Sequence, residues 1–452
     1  MKRCSLLLLF LGLLAPPLAA QEVDVPHAVF TLPNGLRVIV NEDRSTPVVA
    51  VNVWYHVGSG YEQPGRTGFA HLFEHILFEG SKNVPEGDFD NLLEAAGAVN
   101  NGSTNPDRTN YYEILPSNAL ELALWLEADR MGALLEAMNP GKLDVQREVV
   151  KNERRQSYEN VPYGMLWETA AAALYPRGHP YSWTTIGSME DLSAATLEDV
   201  ESFFRRFYTP NNATLAISGD VDAAQVRPVV ERFFGWIPRG ETVERPQIPV
   251  PAIPATRHIT LEDRVTLPQV NLIWRTVPRY APDDAALAAL AQILTDGKNS
   301  RLFKRLVYDE QIAQTVGGYN NSQLLSGDLF LRVTGKPDVA LGRLERAVLE
   351  EIARLAATPP SAAELQRVVS GIETAFVGSL ETVGGKADQL NSYLYYTGDP
   401  GFASRDLARF RALTPADIQR VAREYLADRN RVAISIVPTG KRNLAVIPET
   451  AR

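Results

Sequence analysis

The sequence predicts an α+β fold made of two related halves, and three observations support this prediction. The chain has 452 residues, which is more than one ordinary domain contains. Similar segments recur at a nearly constant offset of 217 positions. In each half, β-rich runs come before a series of helix-like runs, which is the order expected of an α+β domain. A duplicated domain accounts for all three observations.

The repeat is visible at both ends of each half. Near the start, the helix-like segment FAHLFEHILFEG at 69–80 aligns with a segment that ends at Gly297, 217 positions after Gly80. Near the end, the same offset relates Tyr208 to Tyr425 and residues 216–218 to residues 433–435. Three matches at one spacing indicate a tandem duplication.

The composition divides the chain into four regions. Residues 1–20 have the layout of a secretory signal peptide, with Lys2 and Arg3 before an apolar run at 6–14 and small residues up to Ala20. The apolar run is too short to span a bilayer, so we expect cleavage near Ala20. The other regions are an N-terminal domain at 21–240, a linker with four prolines at 241–256, and a C-terminal domain at 257–445.

The predicted elements follow the same order in both halves. In the first half, two β-rich runs within 36–58 flank a polar turn at 41–45, and a helix at 69–80 is closed by Gly80. Further helices are predicted at 86–96, 117–138, 142–159 and 162–174, before a strand at 214–218. The second half should have strands at 269–277, 328–334 and 431–437, a helix at 283–296, and more helices up to about residue 425.

The composition also excludes several classes of protein. There are 45 basic and 54 acidic residues and no basic run, which disfavours binding to nucleic acid or to an anionic membrane surface. The only cysteine, Cys4, lies in the predicted signal peptide, so the mature chain should have no disulfide or thiolate–metal site. We therefore expect a soluble, secreted protein, located in the periplasm, that binds any metal through His, Asp or Glu.

Residues 71–75, HLFEH, are the clearest indication of function. His71 and His75 are four positions apart, so on a helix their imidazoles share one face and can bind one zinc ion. Glu74 lies on the same side but is angled away, where a general base acting on water is needed. Packing does not require these three residues, because their counterparts in the second half are Ala288, Ala291 and Gln292.

Two histidines do not complete a catalytic zinc site, which usually has three protein ligands and one open position. Because the mature chain lacks a thiol, the third ligand should be a carboxylate. The predicted helix at 142–159 contains two candidates, Glu148 and Glu153, and their spacing alone does not choose between them.

The reversed motif His-x-x-Glu-His resembles that of the inverzincins, the pitrilysin or insulinase-type peptidases of family M16. The resemblance covers nearly the whole mature chain, including the downstream segment VVKNE and the duplicated halves. It implies α/β-roll-like halves that together form half of a clamshell. It also implies that Glu153 is the third ligand and Glu148 is not, and that Gln146 replaces a glutamate found seven residues before that ligand.

The segment GAVNNGSTNPDRTNYYE at 97–113 resembles the substrate-binding edge strand of this family. The resemblance implies that Asn101 and Gly102 bind the backbone of a peptide that adds a strand to the sheet. Without it, the same segment would be predicted to be a turn rich in Asn and Gly. His179 lies in another similar segment and is predicted to be structural.

The second half departs from active single-chain members of the family. These have an arginine and, seven residues later, a tyrosine that help to hold the substrate. Val307 and Gln314 occupy the matching positions here and cannot donate a charge-assisted or a phenolic hydrogen bond. The resemblance therefore implies a second M16-like subunit that supplies the pair, as in the mitochondrial processing peptidase.

The predicted function is a zinc-dependent endopeptidase of the M16B type that acts as a heterodimer on peptides or unfolded polypeptide segments. Two alternatives remain open. One is a subunit that binds zinc and peptides without hydrolysis. The other is a homodimeric peptidase that is active despite Val307 and Gln314.

Overall fold

The computed structural model describes residues 23–446, so the predicted signal peptide at 1–20 lies outside the described residues. No helix within 23–446 is long and apolar enough to cross a membrane. The predicted linker at 241–256 forms neither helix nor strand and separates two groups of elements.

The first group contains six strands and eight α-helices among the described residues. In chain order these are β1 (Ala28–Thr31), β2 (Arg37–Glu42), β3 (Val48–Tyr55), α1 (Phe69–Ile76), α2 (Asp88–Ala95), β4 (Val99–Thr104), β5 (Thr109–Pro116), α3 (Leu120–Ala133), α4 (Pro140–Arg154), α5 (Leu166–Leu174), α6 (Met189–Ala194), α7 (Leu197–Phe207), β6 (Ala213–Gly219) and α8 (Ala223–Phe234).

The second group contains five strands and six α-helices in the same part of the chain. They are β7 (Arg257–Asp263), β8 (Gln269–Thr276), α9 (Asp284–Thr295), β9 (Ala313–Ser322), β10 (Gly327–Gly335), α10 (Leu341–Ala357), α11 (Ala362–Ser379), α12 (Val383–Thr397), α13 (Ala403–Arg411), α14 (Pro415–Val421) and β11 (Val432–Pro438).

The two sheets have the same topology, which confirms the predicted α+β duplication. The strand orders are β1-β2-β6-β3-β5-β4 and β7-β11-β8-β10-β9. In each half, the last strand enters the sheet beside the first strand of the repeat and runs parallel to it, as in β2–β6 and β7–β11. The other pairs are antiparallel. Apart from β1, the sheets therefore correspond strand for strand.

Several elements differ from the prediction. The helix predicted at 69–80 ends at Ile76, because the N–H groups of Phe78 and Glu79 bond to carbonyls three residues earlier, and Gly80 follows with φ at +87°. The helices predicted at 86–96, 117–138 and 162–174 are shorter than predicted. The helix predicted at 142–159 begins two residues earlier, at Pro140, and a π-helical segment, Arg155–Glu159, continues α4 to the predicted end. The prediction omitted β1, β5, β7, β9, α6 and α8. β9 is an exposed edge strand with two glycines, so it lacks the apolar alternation of a half-buried strand.

Each half contributes one helix to the sheet of the other half. α12 packs on β3 and β6, where Val383, Ala387 and Leu390 form an apolar cluster with Ile39 and Ala216. In the same way, α5 packs on β11 of the second sheet. The two helices begin 217 positions apart, so they are equivalent in the duplication. This exchange covers the face of each sheet that the helices of its own half leave open.

The core of the first half contains a buried cluster of charges. Arg130 Nε donates to Glu127 at 3.0 Å, and its Nη2 lies 3.2 Å from Glu113. All three side chains are at most 1% exposed. The guanidinium carbon lies 4.3 Å from the ring centre of Phe89 and 4.5 Å from that of Tyr111. Burial and the neighbouring Glu127 raise the pKa of Glu113 well above its usual value, so one cation compensates a pair of carboxyl groups that have little access to water.

Replacing Arg130 with methionine should lower the free energy of unfolding by about 3–5 kcal/mol, because the buried carboxyl groups of Glu113 and Glu127 would lose their cationic partner. Chemical denaturation measures this change. Arg205→Met is the matched control, because its exposed pair with Glu201 should contribute less than about 1 kcal/mol. Equal effects of the two substitutions would show that the buried cluster adds no stability of its own.

Candidate metal centre and active site

α1 presents its polar residues on one side because its apolar residues occupy the other. Its buried residues are Phe69, Ala70, Leu72, Phe73 and Ile76, and all of them except Ala70 belong to the first core cluster. This spacing leaves His71, Glu74 and His75 on the opposite face. The rings of the two histidines are 4.9 Å apart and nearly perpendicular.

The start of α1 is held by Glu62, which the sequence did not identify. Its buried carboxylate accepts the N–H of Gly68 at 3.0 Å and that of Ala70 at 2.8 Å, so it satisfies two free donors at the helix start. Gly68 has φ at +87°, and a Cβ there would lie 2.7 Å from the carbonyl oxygen of Ile186. A glycine is therefore required where the chain enters the helix.

α4 brings Glu153 to the two histidines. The helix begins with Asn139 as N-cap and Pro140 in the first turn. Its buried residues lie three or four positions apart, at Leu143, Gln146, Val150 and Arg154. Gln146 donates to the Glu79 carboxylate at 2.6 Å, and Lys142 donates to the Glu79 carbonyl at 2.6 Å. These contacts tie α4 to the turn that follows α1. Glu148 is exposed and pairs with Lys151, so it lies outside this cluster.

The three side chains meet at one point with spacings that suit zinc. Oε2 of Glu153 lies 3.5 Å from Nε2 of His71 and 3.3 Å from Nε2 of His75. One ligand atom from each residue lies within 4.8 Å of the other two. Tetrahedral bonds of about 2.0–2.1 Å place neighbouring ligand atoms about 3.3–3.4 Å apart. The donor set and its spacing therefore fit a zinc ion with one further position open.

The protonation states of this cluster also suit metal binding, which needs neutral imidazole and ionised carboxylate. Burial lowers the pKa of His71 to about 4. The hydrogen bond from His75 lowers the pKa of Glu153 below its usual value. At neutral pH, His71 is therefore neutral and Glu153 is ionised.

Glu74 is held beside this cluster by Thr104, the last residue of β4. Thr104 Oγ1 donates to Glu74 Oε2 at 2.6 Å. Burial raises the pKa of Glu74 above its usual value, and the Thr104 hydrogen bond opposes that rise. A carboxylate with a raised pKa accepts a proton more readily near neutral pH. Thr104 was not identified from the sequence, although strand alternation places it on the same face as Gly102.

β4 is the edge strand of the first sheet and pairs only with β5 among the described strands. The N–H of Gly102 bonds to the Asn101 side chain at 2.8 Å. A Cβ on Gly102 would lie 3.0 Å from Cγ of Glu74, so the β4 backbone contacts the Glu74 side chain closely and leaves little room for a side chain at position 102. The segment is a strand, as the resemblance implied, and not the turn that its composition indicated. Asn101 and Gly102 thus lie at a free sheet edge beside Glu74.

Comparison with known proteins identifies the family. The model described as "Insulinase (Peptidase family M16)" matches residues 37–178, and "Peptidase M16 inactive domain" matches residues 194–372. Zinc protease PqqE of Helicobacter pylori is 31% identical over 442 residues, which are 96% of this chain and 97% of that protein. The chain belongs to peptidase family M16.

Other similar proteins extend this result. The mitochondrial-processing peptidase subunit beta of Blastocladiella emersonii is 23% identical over 432 residues, which are 92% of this chain and 90% of that protein. A protease structure from Helicobacter pylori has a TM-score of 0.87 and 29% identity, and the match covers 92% of this chain and 100% of that one. The periplasmic protease PqqL of Escherichia coli has the same fold, with a TM-score of 0.79 and 20% identity, over 96% of this chain and 50% of that one.

Val307 and Gln314, which the family resemblance matched to an arginine and a tyrosine, both lie in the second half. Val307 belongs to a π-helical segment, Phe303–Asp309, and packs against the second core. Gln314 is exposed on β9. His179 is buried, stacks on Tyr175 and accepts the N–H of Tyr181, and it is not part of the metal cluster.

A cavity of about 290 Å³ lies between the two halves of the chain. Tyr158 in its wall comes five residues after Glu153, and Pro106 comes two residues after Thr104. Asp328 of β10 also lines it. Its aromatic lining consists of Tyr158, Trp167, Tyr175, Tyr181, Trp183 and Tyr319. This cavity is large enough for a peptide side chain.

The pH dependence of the free energy of unfolding should show the effect of burying the Asp328 carboxyl group. Burial raises its pKa to about 6, while nearby Arg275 opposes the rise. Because the unfolded chain ionises this carboxyl at lower pH, the folded state loses stability as pH rises from about 4 to about 6. Relative to Asp328→Asn, the wild-type free energy of unfolding should fall over that interval by at most about 3 kcal/mol. Urea denaturation measures both curves. Asp338→Asn, at an exposed carboxylate, should give a curve parallel to wild type, and a parallel Asp328→Asn curve would contradict the prediction.

Proposed function

We propose that this M16 chain is the metal-bearing subunit of a zinc-dependent endopeptidase that hydrolyses peptides or unfolded polypeptide segments. The observation that carries the proposal is the meeting of His71, His75 and Glu153 beside Glu74. Relatives named zinc proteases, including PqqE, support the same activity.

In this proposal His71, His75 and Glu153 hold the ion. When bound, Zn2+ supplies Lewis-acid chemistry, which acidifies water and polarises a peptide carbonyl. Glu153 supplies negative charge, and its Oε2 lies 3.3 Å from Nε2 of His75, so the two groups already face each other before the ion arrives. Packing of α1 and α4 sets the spacing of the donors.

Glu74 is the general base and then the general acid. Its carboxylate accepts a proton from the attacking water and delivers it to the nitrogen of the leaving amine. Thr104 fixes one carboxylate oxygen, so the proton is taken up from a defined direction. Glu74 itself is not a ligand, because Glu153 completes the donor set.

β4 orients the substrate. An extended peptide can pair with the free edge of β4, replacing the Asn101 side chain at the N–H of Gly102. Backbone pairing accepts many sequences but requires an extended chain, so folded proteins are poor substrates. Asn101 and Gly102 are the proposed substrate-binding residues.

A second M16-like subunit supplies the arginine and tyrosine that Val307 and Gln314 replace. One relative, the mitochondrial-processing peptidase subunit beta, is itself named as a subunit. The signal-like residues 1–20 and the periplasmic protease PqqL among the structural neighbours support action in the periplasm.

The test compares the mature chain alone with the chain co-expressed with a second two-half protein that carries the Arg/Tyr pair and no metal motif. Cleavage of unstructured fluorogenic peptides only by the mixture supports the heterodimer. Cleavage by the chain alone at dimer mass supports the homodimer. Zinc-dependent peptide binding without cleavage in either sample supports the non-catalytic alternative, which the absent Arg/Tyr pair favours.

A further inference from the structure

The turn between β4 and β5 places a buried carboxylate close to the candidate active site. The N–H of Asn105 donates to the carbonyl of Arg108 at 2.9 Å, and Asn105 Oδ1 accepts the N–H of Asp107 at 2.8 Å. Only 2% of Asp107 is exposed. A carboxylate buried to this degree needs several hydrogen bonds to offset its lost hydration.

The carboxylate and the backbone carbonyl of Asp107 accept hydrogen bonds mainly from the second half of the chain. Its Oδ2 accepts the Tyr396 hydroxyl at 2.8 Å and the N–H of Leu324 at 2.9 Å. Its Oδ1 accepts the Tyr181 hydroxyl at 2.5 Å, and its carbonyl accepts the Tyr395 hydroxyl at 2.8 Å. Three of the four donors therefore belong to α12 or to the β9–β10 turn. The β9–β10 turn is the counterpart of the β4–β5 turn, so the two hairpin turns meet at Asp107.

The same turn leads directly to Glu74. Thr104, three residues before Asp107, makes the hydrogen bond to Glu74, and the backbone of Gly102 packs closely against the Glu74 side chain. Only residues 105 and 106 separate Asp107 from Thr104, so a shift of the turn is passed directly to Thr104.

We propose that Asp107 is a positioning residue through which the metal-free half holds the β4 edge and the Thr104–Glu74 hydrogen bond in place. The proposal rests on the proposed peptidase function. In this proposal the second half of the chain supports the active site of the first half, whether or not a partner subunit is present. A misplacement of about 1 Å near reacting groups can lower a rate about 100-fold, so a small shift of the turn is sufficient.

The turn is also held from the other side, which makes the test practicable. The N–H of Gly60 donates to the carbonyl of Pro106 at 2.7 Å, and the N–H of Ser59 donates to that of Asn105 at 3.2 Å. These bonds do not involve the Asp107 side chain, so the hairpin should still form when that side chain is changed. Asparagine keeps the volume of Asp107 but sets an amide N–H2 against hydroxyl and N–H donors.

The experiment uses the full mature chain, with its partner subunit where activity requires one. Asp107→Asn should lower kcat/KM about 10–100-fold, mainly through kcat, with zinc content unchanged. Tyr396→Phe removes one donor and should give a smaller loss in the same direction. Tyr393→Phe is the matched control on the same helix, because its hydroxyl bonds to Asp406 instead, and its kinetics should equal those of wild type.

Amide hydrogen exchange supplies a readout that needs no activity. Exchange across 97–113 should increase in Asp107→Asn and Tyr396→Phe but not in Tyr393→Phe. Unchanged exchange and kinetics within about twofold of wild type in both variants would overturn the proposal. An equal loss in Tyr393→Phe would also overturn it, by indicating general destabilisation. If Asp107→Asn does not fold, Tyr396→Phe decides the question. Wild-type protein without peptidase activity would refute the proposed function instead, and exchange alone would then test the positioning role.

Discussion

Glu74→Gln should retain zinc and lose peptidase activity by about 10³-fold. General acid–base catalysis contributes about 10²–10⁴-fold, and glutamine can neither accept the proton from water nor deliver it to the amine. The loss should be in kcat, because the metal donors and the β4 edge remain in place. Elemental analysis of zinc and steady-state kinetics on an unstructured peptide measure the two quantities.

The matched control is Glu94→Gln, an exposed carboxylate on α2 that should have no effect on either quantity. Retained cleavage by Glu74→Gln would show that another group moves the proton. Loss of zinc in that variant would show that Glu74 is a ligand.

Glu153→Gln should release zinc and abolish activity, whereas Glu148→Gln should change neither. Both residues lie on α4, but only Glu153 reaches the histidines, while Glu148 pairs with Lys151 at the surface. Loss of a group that merely orients a ligand costs about 10–100-fold in metal affinity, so loss of the carboxylate ligand itself should cost more.

Competition with a chromophoric chelator measures the affinities of wild type and both variants. Added zinc should restore part of the activity of Glu153→Gln if the histidines still bind the ion weakly. Wild-type affinity in Glu153→Gln, or a large loss in Glu148→Gln, would reverse the assignment of the third ligand.

Local spacing was sufficient to predict part of the site. His71 and His75 share a face because they are one helical turn apart, a relation that holds wherever α1 packs. The choice between Glu148 and Glu153 depends on how α4 rotates against α1, which is set by contacts between distant residues such as Gln146 and Glu79. Only the family resemblance favoured Glu153.

The parts of the fold that the sequence did not predict also depend on distant contacts. The two β-rich runs within 36–58 became strands, but β6 lies between them in the sheet. Asp107 carries no motif, because its donors come from positions 181, 324, 395 and 396 and meet only when the halves pack together. The segment that repeats α1 in the second half showed that a duplication existed, but it gave no indication that α5 and α12 each pack on the sheet of the other half.

The exchange of α5 and α12 between the halves means that neither half covers its own sheet completely. A single ancestral half would have left one broad apolar sheet face in water, which favours association. Two separate copies that exchanged this helix would form a domain-swapped homodimer. In the tandem chain the same exchange is intramolecular, so each sheet stays covered whatever the protein concentration.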